Sequence, residues 1–269
     1  MKIANFFIII TLFGSCSNRD TTFIETEKHI PVKEVSELVE QLELCYKNND
    51  SIALDNFFKE WNRNSRPNKN VFINQNDTIK ALYEVFKTFY KPTNPTELGN
   101  WEDFHLTEDC LKYVIIQNRI EYFVNYIENR YELTGEYNIP DTIKNFKPIT
   151  TFNSNRILYL TEDYRSALEQ FLGNNSSEVG EGNLMNPSIP QEESNKRYKF
   201  LKKFIHILPG HWGGYWHLET HPEIYGIVLN PELDEANIMF RYGYQGGKAK
   251  LIKTDEKWEF KYSKETWIE

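Results

Sequence analysis

The stretch from Pro209 to Pro222 reads Pro-Gly-His-Trp-Gly-Gly-Tyr-Trp-His-Leu-Glu-Thr-His-Pro and is the part of the chain richest in side chains able to do chemistry. On an extended strand alternate side chains share a face. His217, Glu219 and His221 would then project together. Imidazole, carboxylate and imidazole make a competent zinc set, with His211 as the possible fourth ligand. On a helix, His217 and His221 would align and Glu219 would not. The pattern is loose, because the glutamate is not placed as in HExxH and Pro222 ends the strand. The simpler reading is a row of polar residues on a solvated strand face.

The aromatic residues of the same stretch offer a second kind of chemistry. Trp212, Tyr215 and Trp216 surround Gly213-Gly214, where the backbone can bend or approach a partner closely. Flat rings around such a bend can stack on a sugar or on a peptide side chain. Large aromatics more often fill a core, so packing at the join between a helix and a sheet is the first expectation and a ligand-binding face the second. A nucleophile-and-base arrangement has no support: His206 or His211 could act as a base, but no serine or cysteine is marked as its partner. GxGxxG, P-loop, GxSxG, HExxH and CxxC motifs are all missing from the sequence. No cofactor is implied, apart from zinc under the metal reading.

The elements that must position these residues follow from periodicity. Val35, Leu38, Val39, Leu42 and Cys45 fall at helical spacing. After the break at Lys47 to Asp50, a second helix with Asp50 or Ser51 as N-cap carries Leu54, Phe57, Phe58 and Trp61. The short break makes these two an antiparallel hairpin. A third helix starts near Asp77 and stops before Pro92. Tyr113 to Val124 is β-rich and reads either as a hairpin turning at Gln117-Asn118 or, since Asn-Arg is not the strongest hairpin pair, as one long strand. Residues 128–154 give no clear pattern. Arg156 to Leu160 reads as a buried strand, followed by a helix capped by Thr161 and closed by Gly173. Residues 174–194 have the composition of a flexible loop. A further helix spans Asn195 to Ile207, and its five basic residues between Lys196 and Lys203 read as a solvated face.

Beyond Pro222 the alternation has period two. Ala236, Ile238, Phe240, Tyr242 and Tyr244 share one face, with Arg241 expected on the other and solvated. Gly246-Gly247 allows a bulge or bend, and Thr254 to Lys257 makes the next turn. Helices first and an antiparallel meander last imply an α+β fold. The bent meander resembles the cone-shaped α+β folds of the nuclear-transport-factor-2 kind, a likeness of fold that carries no function.

The N-terminus stands apart from this fold. Met1-Lys2 leads into an apolar run to Phe13, too short to remain as a membrane span, and so reads as a secretory signal. Leu12-Phe13-Gly14-Ser15-Cys16 resembles the lipobox of bacterial lipoproteins, although Phe13 stands where leucine is usual. That resemblance implies cleavage after Ser15 and lipidation of Cys16, with acyl chains holding the protein to a membrane. Ser17 after the cysteine resembles the outer-membrane-sorted members of the class in Gram-negative cells, facing either the periplasm or the outside. The organisation is then a signal peptide at 1–15, a tether at 16–32 and one α+β domain at 33–269. The segment 209–222 also resembles stretches of uncharacterised bacterial lipoproteins.

The net charge is −8, and loss of Lys2 with the signal makes the mature chain more acidic. That argues against nucleic acid as a partner. Export permits a disulfide between Cys45 and Cys110, but Cys45 lies on an apolar helix face, which points to buried thiols. The expectation is therefore an envelope lipoprotein with a non-catalytic domain that binds a protein or a glycan. The alternatives are a metal-dependent hydrolase on residues 211–221 and a purely structural envelope protein.

Overall fold

A computed structural model of the chain describes residues 33–67, 76–93, 98, 111–125, 140–150, 152–173, 188–210 and 215–268. They belong to one compact unit, Val32–Glu269. Cys16, the tether, His211, Trp212, Cys110 and most of 174–194 lie outside the described residues.

The first two helices, α1 (Val35–Lys47) and α2 (Ser51–Ser65), form the expected hairpin. Asp50 caps α2, its carboxylate accepting from the amides of Ile52 at 3.0 Å and Ala53 at 2.9 Å, donors that the first turn leaves unpaired. Helix α3 (Asp77–Phe89) is capped by Asn76, α4 spans Glu162–Leu172 and α5 spans Gln191–Leu201. Gly173 closes α4 at φ 80°, a left-handed conformation that favours glycine. Helix α5 begins and ends earlier than its spacing suggests. Pro190 supplies its N-cap, and Phe204 and Ile205 are buried beyond its end.

Two short strands, β1 (Val114–Gln117) and β4 (Ile157–Leu160), pair in parallel. Every residue of both is buried, as expected of a sheet covered on both faces. This ribbon divides the interior. Val114, Ile116, Ile157 and Tyr159 face a core shared with α3 and the large sheet. Tyr113, Ile115, Leu158 and Leu160 face a second core built from α1, α2, α4 and α5. In that second core Trp61 stacks on Tyr164 at 4.5 Å and donates to the Tyr159 carbonyl at 2.9 Å.

The large sheet adds β2 (Arg119–Val124), β3 (Asp141–Lys144), β7 (Glu223–Leu229), β8 (Glu235–Tyr242), β9 (Gln245–Thr254) and β10 (Lys257–Ile268), in the order β10-β9-β8-β7-β2-β3. The antiparallel meander β7 to β10 is the one legible in the sequence. Its last turn places Asp255 and Glu256 at φ 50° and 62°, the two positive angles of a tight two-residue hairpin. The fold is α+β. A small ribbon of β5 (Leu208–Pro209) and β6 (Trp216–His217) leads into β7.

Two expectations need correction. Gln117-Asn118 is not a hairpin turn: β1 pairs with β4, while β2 joins β3 and β7 in the other sheet. The chain passes between sheets at Asn118, because β1 is buried on both faces and β2 has only one buried side. The basic face of α5 is also not uniformly solvated. Arg197 is folded inward, ion-paired with Glu43 and Glu193 and lying over the Tyr46 and Phe171 rings.

Candidate binding site

Thr220 fixes the connector into β7. Its amide donates to the Ile115 carbonyl at 2.9 Å, its hydroxyl accepts from the Ile115 amide at 3.0 Å, and its carbonyl accepts from the Tyr90 hydroxyl at 2.9 Å. The flanking polar residues are therefore carried inside. His217, Glu219 and His221 are 6, 5 and 4% exposed, so they do not form a solvated strand face.

Nor do the three lie along one strand. β6 ends at His217 and the chain bends at Glu219. Glu219 pairs with Arg165 of α4. The His217 Nδ1 lies 2.9 Å from an Arg241 guanidinium nitrogen. The His221 Nδ1 lies 3.2 Å from the Arg241 carbonyl, which makes it the protonated nitrogen. The two imidazoles are 5.9 Å apart between ring centres. Burial first, with His217 and the Arg241 guanidinium close by, pushes the His221 pKa down to about 3; a buried imidazole resists charging. Among the described residues no group of three or more His, Cys, Asp or Glu side chains is arranged to hold a metal ion.

Of the proposed aromatic ligands, Trp216 is a packing element. It is 6% exposed, donates to the Ser194 hydroxyl at 2.8 Å and packs 4.3 Å from the Tyr198 ring. It plugs the join between α5 and the end of α4, where Ser194 in turn donates to the Leu172 carbonyl. Tyr215 is half-buried. It covers Gly210, where an added Cβ would collide with the phenol ring, and meets His217 edge-on at 5.1 Å.

The structure instead assembles a partly exposed group at one corner of the meander. Glu223, Arg241, Gly246 and Trp267 stand in register across β7, β8, β9 and β10, on the face opposite Ile224, Phe240 and Tyr242, which are buried in the first core. Arg241 is thus not a solvated strand residue. Its guanidinium faces Glu223 at 3.9 Å, touches His217, and lies 5.3 Å over the Trp267 ring.

Two β-bulges build this corner. In β10, Glu265 pairs with Gly247 and Trp267 with Gly246, so Thr266 is the extra residue. Strict alternation from the outward Tyr262 and Lys264 would put Trp267 on the other face; the extra residue turns it outward. In β7, Ile224 pairs with Phe240 and Gly226 with Met239, leaving Tyr225 as the extra residue. Bulges re-aim side chains and are common beside functional sites. Here they converge: the Trp267 indole N–H donates to the Tyr225 hydroxyl at 3.4 Å. Gly246 supplies the room, since a Cβ there would collide with the indole. The Gly246-Gly247 pair thus faces one of these bulges without containing it.

Tyr225, Arg241, Glu223 and Trp267 were not singled out by motif or period. The one signal was glycine within a strand, a mark of close approach. No protein-family model matches the chain, and no curated protein or solved structure matches it.

Proposed function

We propose that this is a non-catalytic binding domain held at the cell envelope by a lipid on Cys16, with the bulged corner of the meander as its binding face. The anchor rests on the lipobox-like stretch ending at Cys16. The binding face rests on one observation: two independent bulges bring Tyr225 and Trp267 together beside the Arg241–Glu223 pair on a partly exposed surface. Aromatic rings joined to arginine are the groups that contribute most at binding surfaces. Residues 17–31, polar and without period, suit a tether that lets such a face reach a protein or a glycan. An outer-membrane location is the one that Ser17 favours.

Two measurements test the two halves of this reading. Cys16→Ser should move the protein from the membrane to the soluble fraction; if both forms stay extractable only with detergent, the anchor fails. The detergent-extracted chain should be retained by either the protein or the polysaccharide fraction of the envelope, and Trp267→Ala should lose that retention. Retention by neither fraction, or retention indifferent to Trp267→Ala, overturns the binding face.

A further inference from the structure

We infer that β10 pairs edge to edge and antiparallel with β10 of a second copy of this chain, Glu259 of each copy lying opposite Lys264 of the other. This pairing is independent of the binding face proposed above.

The first observation is the edge. β10 is an outer strand of the six-stranded sheet, and its partner is β9. It runs for 12 residues, about twice the usual strand, and among the described residues no strand lies along its outer side. From Lys261 to Ile268 every residue but Ser263 and Trp267 is exposed, Tyr262 at 53% and Ile268 at 58%. A long edge of this kind is a template for another strand.

The second is a bulge. Phe260 pairs with Leu251 and Tyr262 with Lys250, so Lys261 is an extra residue. Before it, Trp258 and Phe260 pack on the first core, which sets Glu259 on the outward face. After it, Tyr262 and Lys264 are outward as well. Strict alternation would put Glu259 and Lys264, an odd number of residues apart, on opposite faces. Two copies of one strand meet about a two-fold axis, and residues directly opposite share a face. The bulge is what allows Glu259 and Lys264 to form such a pair.

The third is charge. The neighbour of Lys264 on β9 is Lys248, a like charge directly opposite, and among the described residues no carboxylate pairs with Lys264. In the inferred register Glu259, which holds Lys261 of its own copy at 2.6 Å, also meets Lys264 of the other, once on each side of the axis. The neighbouring register that keeps the faces together, Glu259 against Tyr262, would set Lys257 against Lys264 twice. Lysines and bulges guard an edge against indiscriminate pairing; here they leave one register open. The dimer carries two Trp267 corners on one face of a continuous sheet, a bivalent arrangement.

Sedimentation of the detergent-extracted full chain over a dilution series tests this pairing. The chain should sediment as a dimer that dissociates on dilution. Glu259→Lys sets like charges opposite each other on both sides of the axis and should weaken the dimer by about tenfold or more. Lys264→Glu should do the same, and the double exchange should restore the dimer. Chains carrying Glu259→Cys and chains carrying Lys264→Cys should form a disulfide when mixed and not separately. A monomer at every concentration overturns the pairing. So does a dimer indifferent to both single reversals, as two chains sharing a micelle through their lipids would be. A double exchange that fails to restore the dimer, or a disulfide between Glu259→Cys chains alone, overturns the register and the inference with it.

Discussion

Arg241 shows how much one residue can depend on its register neighbours. Its carbonyl holds His221, and its guanidinium serves His217, Glu223 and Trp267. Arg241→Ala removes the donor at His217 Nδ1 and the counter-charge of Glu223. It should cost about 1–3 kcal/mol, in the range of a buried polar group deprived of its partner, where a solvated arginine would cost less than about 0.5 kcal/mol. Urea melts distinguish the two. His221 gives a second prediction at this scale. Its folded pKa, about 3, lies below the unfolded value of 6.5. Between those values the unfolded chain binds a proton that the folded chain refuses. This contribution to stability is complete above about pH 6.5 and is lost as pH falls toward 3, at up to about 1.4 kcal/mol per pH unit. His221→Gln should flatten the acid side of the profile; an unchanged slope would mean that another group governs it.

At the scale of elements, caps and strand faces were readable because they are local. Asp50 caps α2 and Gly173 closes α4, both where composition and period placed them. Asp50→Ala should cost about 1 kcal/mol. Gly173→Ala should cost at least about 1–2 kcal/mol, because φ is 80° and an added Cβ would also meet Ile189. The inward face of β8 was equally legible: Ala236, Ile238, Phe240 and Tyr242 are all buried. Phe240→Ala should cost about 3–5 kcal/mol, as removal of a core aromatic does. A loss below about 1 kcal/mol in the same melts would place that face outside the core. What period could not show was the other face of β8. Asn237 and Met239 are buried there too, and a half-exposed strand and a covered one can carry the same alternation. The Gln117-Asn118 hairpin failed for a related reason. Two adjacent β-rich segments look alike in sequence whether they pair with each other or with strands 19 or more residues away.

For the whole molecule, the binding and metal readings part over the three residues first singled out. Glu219 is held by Arg165 and His217 by Arg241, contacts that a zinc site would have to replace. The protein purified without a histidine tag should carry no stoichiometric metal, and chelator should leave its melt unchanged, since only a metal bound to the folded state adds stability. One zinc per chain, lost with His217→Ala, would make the hydrolase reading the leading one.

The sequence by itself determined the α+β class, the helix hairpin, the caps, the antiparallel meander and the phase of its central strand. Each of these is set by neighbours within a few residues, through 3.6- and 2-residue periods and turn geometry. It also singled out residues 209–222, with packing as the first expectation for their aromatic rings. Only the tertiary structure decided that Trp216 is a plug, that Glu219 turns to a helix 54 residues earlier in the chain, and that Arg197 and Arg241 are drawn inward. The bulged corner was decided at the same level. Trp267 faces outward because β9 is one residue shorter than β10 across Thr266, and it lies flat because Gly246 is opposite. Such a register offset belongs to a pair of strands and is written in neither strand alone.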